Sequence, residues 1–366
     1  MKNTIVIFSN PFGYGPTGKA IAIANTLLRS GYKQIIFAGS SFTLEIIPNK
    51  IVRVDCDERN ESDIIRVLKI IENPIVISSQ NRFAVYAAKK LGIRSAFVDG
   101  LAWFWETIPA DHFLADEIFW MNYPNIDKSA PKNIHNIHIV PGIVDTVPKT
   151  SKRHQILVHI GGCENPLSDI FPKHYLNLLA TGIDKVAAEK ILITGGNRAV
   201  EHLRYLLSNS TANIDLQTLK HNKFIHELNN TKHFITTAGQ TATLEAFALG
   251  IPTSFLLPMN LSQLALTNVL NQYNASPQKL SWNNYIPDIT DVTLLNEKDA
   301  IAAFNGFALK LSNSSAFIPK YISDLNHILS NLPVQEGQNL FIRHLGTCGA
   351  ETIARILIDK WSLFNR

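Results

Sequence analysis

The sequence predicts two doubly wound, Rossmann-like α/β domains in tandem, with a cleft between the carboxyl edges of their sheets. Three observations carry this. Short runs rich in Val and Ile alternate with helical patterns almost from end to end, the mark of parallel sheets covered on both faces. At 366 residues the chain is too long for one compact core. The alternation also pauses near Pro141-Gly142 and then starts again.

In the first half, apolar runs predict strands at 4–9, 34–38, 51–54, 75–79, 95–98, 117–121 and 137–140, with helices at 17–29, 61–72 and 82–91 between them. The run Thr4-Ile-Val-Ile-Phe8 opens the first sheet directly, so no signal peptide is expected. Thr146–Arg153 is polar, with a proline and three basic residues, which makes 146–153 the expected linker after an N-terminal domain of 1–145. The second alternation runs through Ile156–Ile160, a helix at 172–188, Lys190–Thr194 and a helix at 197–208. It continues with Ile214–Leu216, a helix at 222–229, Phe234–Thr237, a further helix, Thr253–Leu257 and the start of another helix. These define a C-terminal domain of 154–349. The segment 350–366 holds a last helix, Ala350–Trp361.

Composition narrows the function classes. An apolar fraction of 46% and a charged fraction of 17% suit a globular protein rather than a disordered one. A net charge of +4 without a long basic run argues against a nucleic-acid partner. Cys56, Cys163 and Cys348 are too few and too scattered for a disulfide framework or a metal knuckle. The histidines show no paired-ligand spacing, so no metal is expected; no cofactor is expected either. No apolar run approaches the roughly 18 residues a membrane span requires. The expected location is cytoplasmic.

The most informative segment is 233–268. Gly239 stands between a strand and a helix, where backbone amides can receive a phosphate. Gln240 starts that helix, and Thr241 and Thr243 can add hydroxyl donors. Glu245 lies about one further turn along, where a carboxylate can accept from a ribose diol. Gln263 follows the next strand and can read sugar hydroxyls. The spacing predicts a nucleotide-sugar site; the alternative is an ordinary βαβ unit with a buried turn and a solvated Glu. Gly161-Gly162 after the strand ending His159-Ile160, and Gly195-Gly196 before Arg198, are further phosphate-side candidates. Arg198 is the candidate cation for a phosphate or a uronate carboxylate, or else a solvated helix-start arginine.

This segment resembles the donor signature of GT-B glycosyltransferases, especially the N-acetylglucosaminyltransferase that completes lipid II. Gly239, Glu245, Gly250-Ile251-Pro252, Pro258 and Gln263 match its pattern. The family usually has paired glutamines after a basic residue, whereas Met259–Leu264 keeps one glutamine. The resemblance implies a UDP-sugar donor bound in the second domain and a terminal helix that crosses back onto the first. It also implies that the donor is a substrate, that helix N-termini and basic groups stabilise the leaving diphosphate, and that no metal is needed.

The first turn, Asn10-Pro-Phe-Gly-Tyr-Gly-Pro-Thr-Gly-Lys19, admits two nucleotide readings that both fall short. Gly13, Gly15 and Gly18 fit a dinucleotide fingerprint, but the second strand ends Phe37-Ala38-Gly39-Ser40-Ser41 with no carboxylate until Glu45. Gly13 to Lys19 fits a phosphate loop, but Ala20 stands where Ser or Thr is needed. A glycine-rich loop bordering an acceptor site fits better, with Phe12, Gly13, Tyr14, Gly15 and Thr17 as its candidates; a plain packing turn is the alternative.

The stretch Phe97–Asp111 delivers Asp99 at a strand end and then Trp103, Phe104, Trp105 and Glu106 on a loop. Aromatics beside carboxylates suit a flat ligand; the alternative is that Trp103 and Trp105 are core. With the first loop, Val98-Asp99-Gly100-Leu101 and its following tryptophan resemble the cytosylglucuronate synthases of peptidyl-nucleoside antibiotic pathways. Members tend to read Asp-Ser-Leu-Pro where this chain has Asp99-Gly-Leu-Ala102. That resemblance implies transfer of a sugar from UDP-glucuronate to cytosine or hydroxymethylcytosine, in nucleoside natural-product biosynthesis. Asp99 and Glu106 are the candidate catalytic bases, with His112 third. Expected partners are a nucleotide-sugar donor and a small acceptor, and a homodimer stays open. A UDP-sugar hydrolase or epimerase on the same fold, or a non-catalytic UDP-sugar-binding protein, are the alternatives.

Overall fold

The computed structural model describes residues 3–124, 126, 134–145, 147–150, 152–168, 170–184, 190–286 and 291–364. Two compact units divide them. The first comprises Met1–Thr146, Lys220–Asn222 and Ile342–Arg366; the second comprises Val147–Leu219 and Lys223–Phe341.

The first unit carries β1 (Thr4–Ser9), β2 (Ile35–Gly39), β3 (Val52–Asp55), β4 (Pro74–Ser79), β5 (Ser95–Asp99), β6 (Glu117–Met121) and β7 (Ile137–Val140). They form one parallel sheet in the order β3-β2-β1-β4-β5-β6-β7. Helices α1 (Gly15–Arg29), α2 (Ser41–Leu44), α3 (Glu61–Ile70) and α4 (Arg82–Leu91) follow its first four strands in turn. β1 and β4 are central, which explains why Ile5, Val6, Ile7, Val76 and Ile77 are almost wholly buried. Each such side chain contributes on the order of 1.5–3 kcal/mol by leaving water. Local chemistry fixes the helix ends. Asn60 and Asn81 accept from the Ser62 and Ala84 amides at 3.0 and 3.1 Å, and Gly92 ends α4 at φ 65°.

The second unit carries β8 (Gln155–His159), β9 (Ile191–Thr194), β10 (Ile214–Gln217), β11 (Thr231–Thr236) and β12 (Thr253–Phe255), again all parallel, in the order β10-β9-β8-β11-β12. Its helices are α5 (Lys173–Ile183), α6 (Asn197–Leu206), α7 (His221–Asn229), α8 (Gln240–Leu249), α9 (Leu261–Gln272), α10 (Glu297–Ser312) and α11 (Ile318–Ser330). α12 (Glu336–Leu345) and α13 (Gly349–Trp361) end the chain. Within the first unit α13 lies against α1 and β7. Lys360 at its end reaches both Glu117 oxygens at 2.8 and 2.9 Å.

Both doubly wound sheets expected from the sequence are present, with differences at the margins. The boundary between the units falls at Thr146 and Val147, inside the expected linker. Arg153 clamps the α8 terminus, its two Nη groups donating to the Gly250 and Leu249 carbonyls at 2.7 and 2.8 Å. The expected helix 172–188 ends at Ile183, and 185–189 lie outside the described residues. β11 starts earlier than expected, at Thr231, and β12 stops at Phe255, where the segment 278–280 pairs with it. α2, α10, α11 and α12 are additions. Among the described residues no helix is long and apolar enough to cross a membrane.

Candidate functional site

In an open parallel sheet, ligands bind outside the carboxyl ends of the strands, where the strand order reverses. In the second unit that point lies between β8 and β11. After β8 the chain turns through Gly161 (φ 68°), Gly162 and Cys163 (φ 58°). The Gly161 carbonyl accepts from the Gly196 amide at 3.0 Å. A methyl group on Gly195 would stand 2.5 Å from Ile160 Cγ1 and 3.0 Å from the Gly161 oxygen, so only glycine allows the two loops this approach. Burial, and behind it the Glu164 carboxylate, push the Cys163 thiol up to about 12, which keeps it protonated.

Two helices start at this edge, α6 from Gly196 and α8 from Gly239, and neither has a side-chain cap. Their leading amides suit an anion. Gln240, Thr241, Thr243 and Glu245 are all buried along α8, Glu245 to 1% exposure. Thr243 Oγ1 is shielded from solvent and has no hydrogen-bond partner among the described residues. Gln263 lies in the first turn of α9, behind its Asn260 cap. Its Oε1 accepts from the Met259 amide at 2.7 Å and its Nε2 lies 3.5 Å from Thr237 Oγ1. The side chain therefore braces the loop after β12. Arg198 is exposed, with its guanidinium 4.2 Å from the centre of the Phe171 ring.

In the first unit the order reverses between β1 and β4. Gly13 adopts φ 57°. Phe12 is half-buried, while Tyr14 stacks on Phe42 at 5.2 Å and donates its hydroxyl to Glu45. Thr17, fully buried, shares a 2.8 Å hydrogen bond with Ser9. Gly15 opens α1, and its carbonyl accepts from the buried Lys19 ammonium at 3.4 Å. Tyr14 and Thr17 thus hold the loop together.

Asp99, 1% exposed, ends β5. Its Oδ1 accepts from the Leu101 amide at 2.8 Å and its Oδ2 lies 3.0 Å from His112 Nδ1. The His112 ring packs on Phe97 at 4.8 Å and meets Trp105 edge-on at 6.2 Å. A carboxylate that accepts from Nδ1–H leaves Nε2 as the basic nitrogen. Trp103 stacks on Tyr123 at 4.7 Å and donates its indole N–H to the Gly100 carbonyl at 3.0 Å. It is a partly buried wall of the local core. Glu106 is exposed on the same loop. Glu58, which sequence reasoning missed, is buried beneath the neighbouring strand ends. It accepts from the Ser40 amide and hydroxyl at 2.6 and 2.9 Å, and its burial raises its pKa. No group of three or more potential metal ligands occurs among the described residues.

Two Rossmann-like units of seven and five parallel strands, in chain-length correspondence with known structures, make this a GT-B fold. MurG of Acinetobacter baumannii aligns over 98% of this chain and 99% of its own, at 14% identity and a TM-score of 0.50. The S. aureus MnaA–UDP structure aligns over 99% and 98%, at 13% identity and a TM-score of 0.54. A Listeria monocytogenes protein described as a UDP-N-acetylglucosamine 2-epimerase aligns over 100% and 97%, at 13% identity and a TM-score of 0.54. At such identities the likeness establishes the fold. No protein-family model and no curated protein sequence matches the chain.

Proposed function

We propose that the chain is a metal-independent GT-B glycosyltransferase whose second unit binds a UDP-sugar and whose first unit deprotonates a small acceptor through His112. The observation that carries the reading is the Asp99–His112 pair at the carboxyl end of the first sheet. Asp99 is buried and both its oxygens are engaged, so it serves as the positioning residue and His112 as the base. This moves Glu106, exposed on the same loop, to the rim of the site.

The donor diphosphate takes the uncapped starts of α6 and α8, with Glu245 on the ribose and Gln263 shaping the sugar side. UDP comes from the bound nucleotide named for the S. aureus MnaA structure and from the resemblance in the segment 233–268. UDP-glucuronate and cytosine are the proposed pair, on the resemblance of the Phe12–Thr17 and Asp99–Trp105 loops. His112 Nε2 takes a proton from the acceptor N–H while that nitrogen attacks the anomeric carbon. The carbon–oxygen bond to the diphosphate breaks, its electron pair leaves with UDP, and the proton stays on the imidazolium beside Asp99.

The test is to incubate the protein with UDP-glucuronate and cytosine, in EDTA, and to measure UDP and the coupled product by mass. Product in the unaltered protein and its loss in His112→Gln support the reading. UDP with free glucuronate instead of product would assign a hydrolase, and binding without turnover a UDP-sugar-binding protein.

A further inference from the structure

We propose that Asp111 is a second positioning residue for His112, a carboxylate that holds the imidazolium from its Nε2 side once the base has taken the acceptor's proton. The inference rests on the transferase reading above and adds a residue and a charge that the reading does not use.

The placement comes from one turn of chain. Asp111 and His112 are neighbours in the short helical turn Ala110–Phe113, which packs against α4. His112 Nδ1 faces Asp99 Oδ2 at 3.0 Å, and on the other side of the ring Nε2 lies 4.0 Å from Asp111 Oδ1. The imidazole therefore stands between two carboxylates. Little of this is open to water: the Asp99 side chain is 1% exposed, and those of His112 and Asp111 are 11% exposed.

The second Asp111 oxygen, Oδ2, lies 3.7 Å from Arg82 Nη1. Arg82 opens α4, where a cation opposes the positive end of the helix dipole. Asp111 supplies the compensating charge, and the pairing leaves Oδ1 turned toward the ring.

Oδ1 is the atom that the fold leaves unexplained. It is shielded from solvent and has no hydrogen-bond partner among the described residues. Buried polar atoms are nearly always paired, so this one points to a missing donor. At 4.0 Å it is too far from Nε2 for a hydrogen bond. With Nδ1–H given to Asp99, a neutral ring also offers it only a lone pair. The donor exists once Nε2 carries a proton, and a closure of about 1 Å then completes the bond.

Turnover supplies that proton. The acceptor N–H bond breaks, its electron pair forms the bond to the anomeric carbon, and its proton goes to Nε2. UDP leaves with the electron pair of the carbon–oxygen bond. The ring becomes cationic where water is scarce, and a carboxylate on each side stabilises that charge. Asp111 acts through the ring rather than on the substrates.

The experiment has two arms. Nitrogen–proton NMR of the histidine side chains at about pH 5, where an ordinary imidazole is protonated, reads both ring N–H groups without turnover. His112→Gln assigns the His112 signals. Two exchange-protected N–H signals are expected; Asp111→Ala should lose the Nε2–H signal and keep the Nδ1–H signal, which reports that the loop is still folded. The second arm is steady-state transfer with UDP-glucuronate and cytosine. Asp111→Ala should lower kcat about tenfold or more with both KM values within about twofold, and Asp111→Glu should recover most of the loss. An unprotected Nε2–H in the unaltered protein, a protected one that persists in Asp111→Ala, loss of both signals together, or an unchanged kcat overturns the role of Asp111 alone. Absence of transfer by the unaltered protein overturns the transferase reading, and the role with it.

Discussion

Replacing Glu297 with glutamine should make the second unit more stable above neutral pH and leave it unchanged in acid. Glu297 opens α10, and both its carboxyl oxygens are shielded from solvent without a hydrogen-bond partner among the described residues. The Leu261 amide at the start of α9 faces the carboxylate without reaching full hydrogen-bond geometry, so burial dominates and pushes the group up to about 7 from its ordinary 4.5. A carboxyl whose pKa is raised by folding binds its proton more tightly in the native state. By linkage, stability is intact below about 4.5 and falls as pH rises through about 7. The difference of about 2.5 pK units corresponds to about 3 kcal/mol lost by pH 8. Glutamine keeps the shape without the charge. Thermal unfolding of the parent and of Glu297→Gln between pH 4.5 and 8.5 should give coincident midpoints at the acid end. At the alkaline end the midpoint of Glu297→Gln should rise above the parent by several degrees. A constant difference across the range, or a parent that gains stability as pH rises toward 7, would overturn this assignment.

Asp99→Asn should lower transfer by about 10²–10⁴-fold, as loss of an oriented base does, while UDP affinity is unchanged; steady-state rates and calorimetry together check this. Gly349→Ala should destabilise the first unit by about 1–3 kcal/mol in urea unfolding, because the new methyl would sit against backbone that cannot give way. That methyl would lie 2.2 Å from the Pro141 carbonyl oxygen and 2.8 Å from that of Gly142. Gly195→Ala should weaken UDP binding by forcing the Gly161 and Gly196 loops apart, measured as a rise in dissociation constant relative to the parent.

Much of this architecture is legible in the sequence, because buried parallel strands carry a strong local signal. Runs such as Thr4–Ser9 and Gln155–His159 are apolar on both faces, and their positions fall within a residue or two of expectation. α10, α11 and α12 are not legible in the same way. Leu309 and Leu340 are exposed while Phe304 and Phe307 are buried, so the apolar pattern along these helices does not mark one clean face. The glycine turns at Gly161, Gly195 and Gly239 can be read as phosphate-side elements because each sits between a strand and a helix.

The first-unit site is harder to read. Sequence ranks His112 behind Asp99 and Glu106, since its partner lies thirteen residues away across a loop without periodicity. Only the folded loop brings Nδ1 to the carboxylate. The proposed reading places His112 ahead of Asp99, because an engaged, solvent-excluded carboxylate orients a base better than it acts as one. Glu297 likewise reads as an ordinary helix-start acid until α9 packs against its helix.

The decisive measurement is calorimetric titration of the purified protein with UDP in the presence of EDTA, repeated with UDP-glucuronate and UDP-N-acetylglucosamine. One UDP site per chain is expected, retained without metal, with UDP-glucuronate bound more tightly than UDP-N-acetylglucosamine. Absence of heat with all three ligands would contradict the donor assignment and leave the chain a GT-B fold without a UDP-sugar site.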